Sequence, residues 1–91
     1  MKVVLEEVGR RLRLRRMSLG LTQGEVARRA GLDRSTIGAA EVGRRPMKFD
    51  TLVSVTLALD LHPEALMDGI RWIPRRATRP GRWQIARKPT Q

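Results

Sequence analysis

Ninety-one residues, 41% of them hydrophobic, suffice for one buried core with an appendage but not for two cores. The absence of cysteine excludes disulfides and thiolate metal sites, and a lone His62 cannot assemble a histidine metal site, so no metal or other cofactor is expected. No stretch approaches the roughly 18 apolar residues of a membrane span, and Glu6 and Glu7 stand where a secretory signal would carry its apolar run. The expectation is a cytoplasmic chain with no membrane partner.

Nineteen basic residues against nine acidic ones give a formal net charge of +10, which points to a polyanionic partner. The charge is segregated: residues 1–20 carry +4, residues 21–45 carry +2, residues 46–68 carry −3 and residues 69–91 carry +7. Eighteen of the nineteen basic residues therefore lie outside the acidic third segment, and the field is directional.

From Leu5 to Leu19 the apolar residues Leu5, Val8, Leu12 and Leu19 recur at helical spacing, and Gly20 stops the helix they predict. Its charged face bears Arg10, Arg11, Arg13 and Arg15, which serve either as a solvated surface or as a DNA contact. Thr22-Gln23-Gly24-Glu25 has the capping-box form, predicting a second helix from Gln23 to about Ala30 with Val26, Ala27 and Ala30 inward. Gly31 suits a left-handed stop, and Asp33 an N-cap for a third helix over Arg34–Val42 with Ile37 in the core. Beyond the break at Gly43-Arg44-Arg45-Pro46, the residues Phe49, Leu52, Val55, Thr56 and Leu59 mark one face of a fourth helix. A short fifth helix starts at His62-Pro63-Glu64, with His62 as its cap and Leu66 and Met67 turned inward.

The last segment is basic throughout. Ile70 and Trp72 share one strand face, as do Trp83 and Ile85, with Arg71, Arg82 and Gln84 opposite, which predicts a hairpin turning around Arg75 to Pro80. A solvated basic tail is the alternative. The expected organisation is a helical domain over 1–68 and a basic extension over 69–91.

Helices joined by Gly31-Leu32-Asp33 have the spacing of a helix-turn-helix, in which a turn of three or four residues sets the second helix steeply across the first. The run LGLTQGEVARRAGLDRSTIGAAEVGRRP, followed by TLVSVTLALDLHPEAL, resembles the phage repressor and Cro family of helix-turn-helix proteins over about residues 8–68. The resemblance implies a mainly α, five-helix DNA-binding domain. It implies that Gln23 meets a DNA phosphate at the start of the second helix, with Thr22 adding a phosphate contact to its capping role. It places Arg34, Ser35 and Thr36 at the start of the recognition helix, at base edges and the adjacent phosphate, with Arg34 able to donate two hydrogen bonds to a guanine. Arg16 and Glu41 match an ion pair between first and third helices that also leaves Arg16 near the DNA backbone as a DNA-binding residue, and Arg44 and Arg45 fall in a phosphate-contacting loop. Gly38 and Ala39 occupy positions where relatives carry longer side chains toward the bases. Here Ala39 can offer only apolar contact to a thymine methyl, so readout leans on Arg34, DNA shape and dimer spacing.

The function expected on these grounds is a sequence-selective, double-stranded DNA-binding transcriptional regulator, a homodimeric repressor. Met47, Val53 and Leu57, with Trp72 and Trp83 of the extension, are the candidate dimer surface. Two other roles remain open: the antitoxin of a toxin-antitoxin pair, with residues 69–91 holding the toxin, or a protein-bridging adaptor on the same fold. No nucleophile, base and orienting group occur at recognisable spacing, so an enzyme is not expected.

Overall fold

The structure, a computed structural model, describes residues 1–86; the final positions of the basic extension, 87–91, lie outside them. Five helices and a hairpin follow in order: α1 (Lys2–Ser18), α2 (Gln23–Ala30), α3 (Arg34–Val42), α4 (Phe49–Ala58), α5 (Pro63–Met67), β1 (Ile70–Ile73) and β2 (Arg82–Ile85). The core joins Leu12, Val26, Ala27, Ile37, Ala40, Val55, Leu59 and Leu66 from all five helices, with Leu21 beneath the α1–α2 turn. Each fully buried Leu, Ile or Val contributes roughly 1.5–3 kcal/mol, so this one cluster holds the helices as a unit.

Local chemistry sets the helix boundaries. The Thr22 hydroxyl accepts from the Glu25 amide at 3.1 Å while Glu25 Oε1 accepts from the Thr22 amide at 3.0 Å, closing the capping box. That pairing holds the Glu25 carboxyl below its usual range, through the backbone hydrogen bond from Thr22 first. Gly31 ends α2 at φ 69°, which lets the Leu32 amide return to the Ala27 carbonyl at 2.8 Å. Asp33 caps α3 through its backbone carbonyl, which accepts from Thr36 and Ile37; its side chain makes no cap bond.

Three inward assignments need correction. Leu19 is the C-cap of α1 and is exposed, because the helix has already turned its buried stripe away over Val4, Glu7, Gly9 and Leu12. Phe49 opens α4 and is 81% exposed, since its first turn extends past the body that covers Val55, Thr56 and Leu59. Met67, at the end of five-residue α5, is exposed while its neighbour Leu66 fills the core. His62 is the N-cap residue of α5, but its side chain accepts no cap hydrogen bond; its Nδ1 lies 4.0 Å from Glu64.

Of the α1 arginines, Arg10, Arg11 and Arg15 are engaged by the fold, whereas Arg13 is exposed and enters no ion pair or side-chain hydrogen bond among the described residues. Arg15 donates to the carbonyls of Leu59 and Asp60 at 2.9 and 3.0 Å, and Arg11 to those of Leu66 and Ala65 at 3.0 and 3.3 Å. Spaced one helical turn apart, they satisfy the orphan carbonyls at the ends of α4 and α5, where the helix dipole also favours a cation. Buried Glu7 accepts from Arg11 Nε at 2.8 Å and from Arg10 at 2.7 and 3.2 Å. These bonds, Arg10's foremost, pull the Glu7 carboxyl down to about 2 against the desolvation that raises it. Leu14 stays exposed, and Arg15 beside it does the anchoring.

One contact was not anticipated: α1 crosses α3 at Gly9. A methyl group there would lie 2.3 Å from the Ala40 carbonyl oxygen and 2.5 Å from that of Glu41, so only a missing side chain permits this approach. The hairpin pairs Ile70 with Ile85, Arg71 with Gln84, Trp72 with Trp83 and Ile73 with Arg82, turning within the segment expected. The tryptophan rings meet edge to face with centroids 5.4 Å apart, a geometry worth about 0.5–1.5 kcal/mol beyond area burial.

Two glycine substitutions should act in opposite directions. Gly9→Ala forces backbone apart and should cost about 3 kcal/mol in chemical denaturation. Gly38→Ala, whose methyl would sit 3.7 Å from the Gln23 side chain, meets only ordinary contact and should stabilise by up to about 1 kcal/mol. The depressed Glu7 carboxyl contributes stability that is complete above its unfolded value of 4.5 and is lost as pH falls toward 2. Denaturant midpoints between pH 6 and pH 2 should therefore fall less steeply for Glu7→Gln than for the parent, the difference approaching about 3 kcal/mol.

Candidate nucleic-acid interface

The interface is built around Glu41, whose carboxylate is buried where α1, α2 and α3 meet. Arg16 Nε donates to Glu41 Oε2 at 2.6 Å and its Nη2 to Oε1 at 3.1 Å, a bidentate pair. The same guanidinium donates Nη1 to the Leu21 carbonyl at 2.8 Å, tying down the turn before α2. Its pKa is raised, first by the hydrogen bond to Glu41. Gln23 Nε2 completes the set, donating to Glu41 Oε1 at 3.1 Å. The ion pair read from the sequence is thus present. Gln23, expected at a phosphate, lies turned inward across α3 beside Gly38.

This cluster fixes α3 with Ile37, Ala40 and Glu41 inward, leaving Arg34 and Ser35 exposed at its first turn and Thr36, Gly38 and Ala39 partly exposed. Gly43, at φ 68°, ends α3 against the Leu5–Glu6 backbone and turns the chain into a loop bearing exposed Arg44 and Arg45. An open groove runs between them, lined by Ser35, Thr36 and Ala39 on one wall and Arg44, Arg45 and Lys48 on the other. Arg34, Arg44, Arg45 and Lys48 enter none of the ion pairs or side-chain hydrogen bonds found among the described residues, and their charge faces solvent. Sequence reasoning passed over Lys48. Its signal was its isolation as the sole basic residue of the acidic segment 46–68.

Of the candidate dimer residues, Met47 is partly buried against the core, where the 44–48 loop folds over α3. Val53, Leu57 and Trp72 are exposed, Leu57 by 74%, and Trp83 is partly covered by its ring partner. Val53 and Leu57 lie on α4, and the tryptophans lie on the hairpin.

A family model described as "Helix-turn-helix domain" matches residues 7–68, the span from the middle of α1 to the end of α5. The chain belongs to that family. It is a helix-turn-helix protein of the Cro and phage-repressor type, a family of DNA-binding transcription regulators. Among solved structures, the restriction-modification controller protein C.AhdI from Aeromonas hydrophila is 39% identical, over 68% of this chain and 94% of that one, at a TM-score of 0.66. The clp gene regulator ClgR from C. glutamicum is 26% identical, over 70% of this chain and 83% of that one, also at 0.66. The wild-type controller C.Esp1396I, 23% identical over 71% of this chain and 84% of that one at 0.65, supports the fold alone. Comparison with curated protein sequences gave no significant match. Among the described residues, no helix is long and apolar enough to cross a membrane.

Removing the carboxylate at the centre of the helix-turn-helix should be costly. Glu41→Ala leaves a mostly buried guanidinium unpaired and should destabilise by on the order of 3 kcal/mol. In a double-mutant cycle with Arg16→Ala the two losses should fall well short of adding, because the second substitution removes the charge the first one stranded.

Proposed function

We propose that this chain is a sequence-selective regulator of transcription that binds duplex DNA as a homodimeric repressor in the cytoplasm. The observation that carries the proposal is the exposed first turn of α3, with Arg34 and Ser35 in solvent, beside the unpaired cations of the 44–48 loop. A duplex major groove is wide enough for a helix, and a guanidinium at the leading end can bridge O6 and N7 of a guanine. In this reading Arg34 reads a base, Ser35 and Thr36 reach a base edge and the neighbouring phosphate, and Ala39 meets a thymine methyl. Arg44, Arg45 and Lys48 neutralise backbone charge, and the free amides at the start of α2, capped by Thr22, receive a phosphate. Gln23 reaches the same phosphate if it leaves Glu41, which Arg16 holds without it. Gly38 gives no side chain to the groove, so discrimination concentrates on Arg34.

What the relatives do supports the class of partner. C.AhdI is a restriction-modification controller and ClgR a gene regulator. A second copy is needed on physical grounds, because one short helix and one arginine read too few base pairs for selectivity. Exposed Val53 and Leu57 on α4 supply an apolar surface for it, and a two-fold pair would set the recognition helices about 34 Å apart.

Selection of bound sequences from random duplexes should yield a palindrome with half-sites about 10 base pairs apart, and sedimentation should show twice the monomer mass. Arg34→Ala should lower the preference for that palindrome over random DNA by about tenfold to a hundredfold while leaving the fold unchanged. Unaltered discrimination by the Arg34 variant would remove the assigned base contact, and failure to enrich any sequence would remove the regulator reading itself.

A further inference from the structure

We propose that the β1–β2 hairpin is a second contact to duplex DNA, an arginine-tipped ribbon that neutralises phosphates without reading sequence. The inference rests on the DNA-binding reading above for its class of partner. It concerns a part of the chain beyond the family match, which ends at residue 68. Residues 69–86 carry Arg71, Arg75, Arg76, Arg79 and Arg82 and no acidic side chain. Only Arg71 is occupied, donating to Gln84 Oε1 at 3.2 and 3.3 Å. The other four are exposed and enter no ion pair or side-chain hydrogen bond among the described residues.

That arrangement differs from α1, in which Arg10, Arg11, Arg15 and Arg16 have each been given a carboxylate or a carbonyl, and matches the free cations around the first turn of α3. At the tip, Arg76 and Arg79 face each other directly, joined by backbone bonds of 2.9 and 3.1 Å. Like charges opposed across a ladder repel, and nothing in the hairpin offsets them. A multivalent anion would. Duplex DNA presents a charge about every 1.7 Å along its axis, so one ribbon tip can meet several phosphates at once, and the guanidinium fork fits each of them.

The hairpin is also built to hold its tip out. Two strands alone are marginally stable, and here the edge-to-face Trp72–Trp83 pair clamps them. Trp72 lies so close over Gly81 that a methyl there would come within 2.2 Å of the ring. The ribbon touches the body chiefly where β2 meets α1. The radius of gyration, 14.3 Å, exceeds the value of about 12 Å for a compact chain of this length, so the molecule is elongated.

The test uses the full chain and a labelled random-sequence duplex, with affinity followed from 50 to 200 mM salt. Replacing Arg75, Arg76, Arg79 and Arg82 by Gln should lower the slope of log affinity against log salt by about three to four units. The same four positions as Lys should keep the parent slope, because charge and not the fork carries a sequence-independent contact. Arg76→Gln with Arg79→Gln, which relieves repulsion and so cannot loosen the turn by that route, should lower the slope by about two. Tryptophan emission and helical circular dichroism should be unchanged in all three. A parent slope in both Gln variants overturns the proposal. Arg34→Ala, run alongside on the selected palindrome as well as the random duplex, separates the two readings: lost preference in Arg34→Ala with a parent salt slope in the hairpin Gln variants sinks this inference alone, whereas a parent protein that binds no duplex sinks both.

Discussion

The architecture turns on one carboxylate withdrawn from water. Glu41 lies at the meeting of three helices, and leaving it there uncompensated would cost several kcal/mol. The bidentate guanidinium of Arg16 and the amide of Gln23 provide the compensation, and each partner comes from a different helix. A buried charge with partners that specific tolerates few arrangements. It sets the roll of α3 about its axis, and the roll decides which residues are inside and which meet a ligand. The Gly9 crossing acts on the same pair of helices from the other direction. It brings the α1 backbone onto the Ala40 and Glu41 carbonyls, closer than any side chain would allow.

The arginines fall into two populations once the fold is known. On α1, Arg11 and Arg15 close the carboxyl ends of α5 and α4, and Arg10 and Arg11 neutralise Glu7. These charges are spent on cohesion. Arg34, Arg44 and Arg45 have no such employment, and their concentration around the first turn of α3 and the loop behind it gives the molecule a charged side. Net charge alone would have credited both populations to a ligand equally.

How far the sequence could be read follows from the same division. The helix-turn-helix was legible because its boundaries are set by local chemistry: the Thr22–Glu25 box, the left-handed stop at Gly31, the short turn Gly31-Leu32-Asp33 and the break at Gly43. The hairpin was legible because alternation puts Ile70 with Trp72 and Trp83 with Ile85 on shared faces either side of a turn; which residue stands opposite which is set by the turn and was not. Periodicity was a poorer guide at helix ends. It finds an apolar stripe without saying what covers it, and so Leu19, Phe49 and Met67, each in a terminal turn, were assigned inward and lie outward. The roles of Arg11 and Arg15 depend on where α4 and α5 finish in space, which no local pattern records. Gly9 did leave a trace, since a glycine within an amphipathic helix is costly and asks for a reason of close packing.

The central claim is that the first turn of α3 enters a major groove, and guanine N7 lies only there. Methylation interference on a selected binding site measures this directly. Methylating N7 of one guanine in each half-site should abolish binding by the parent chain and have little further effect on Arg34→Ala. Interference confined to adenine N3 in the minor groove, or equal for both proteins, would contradict it.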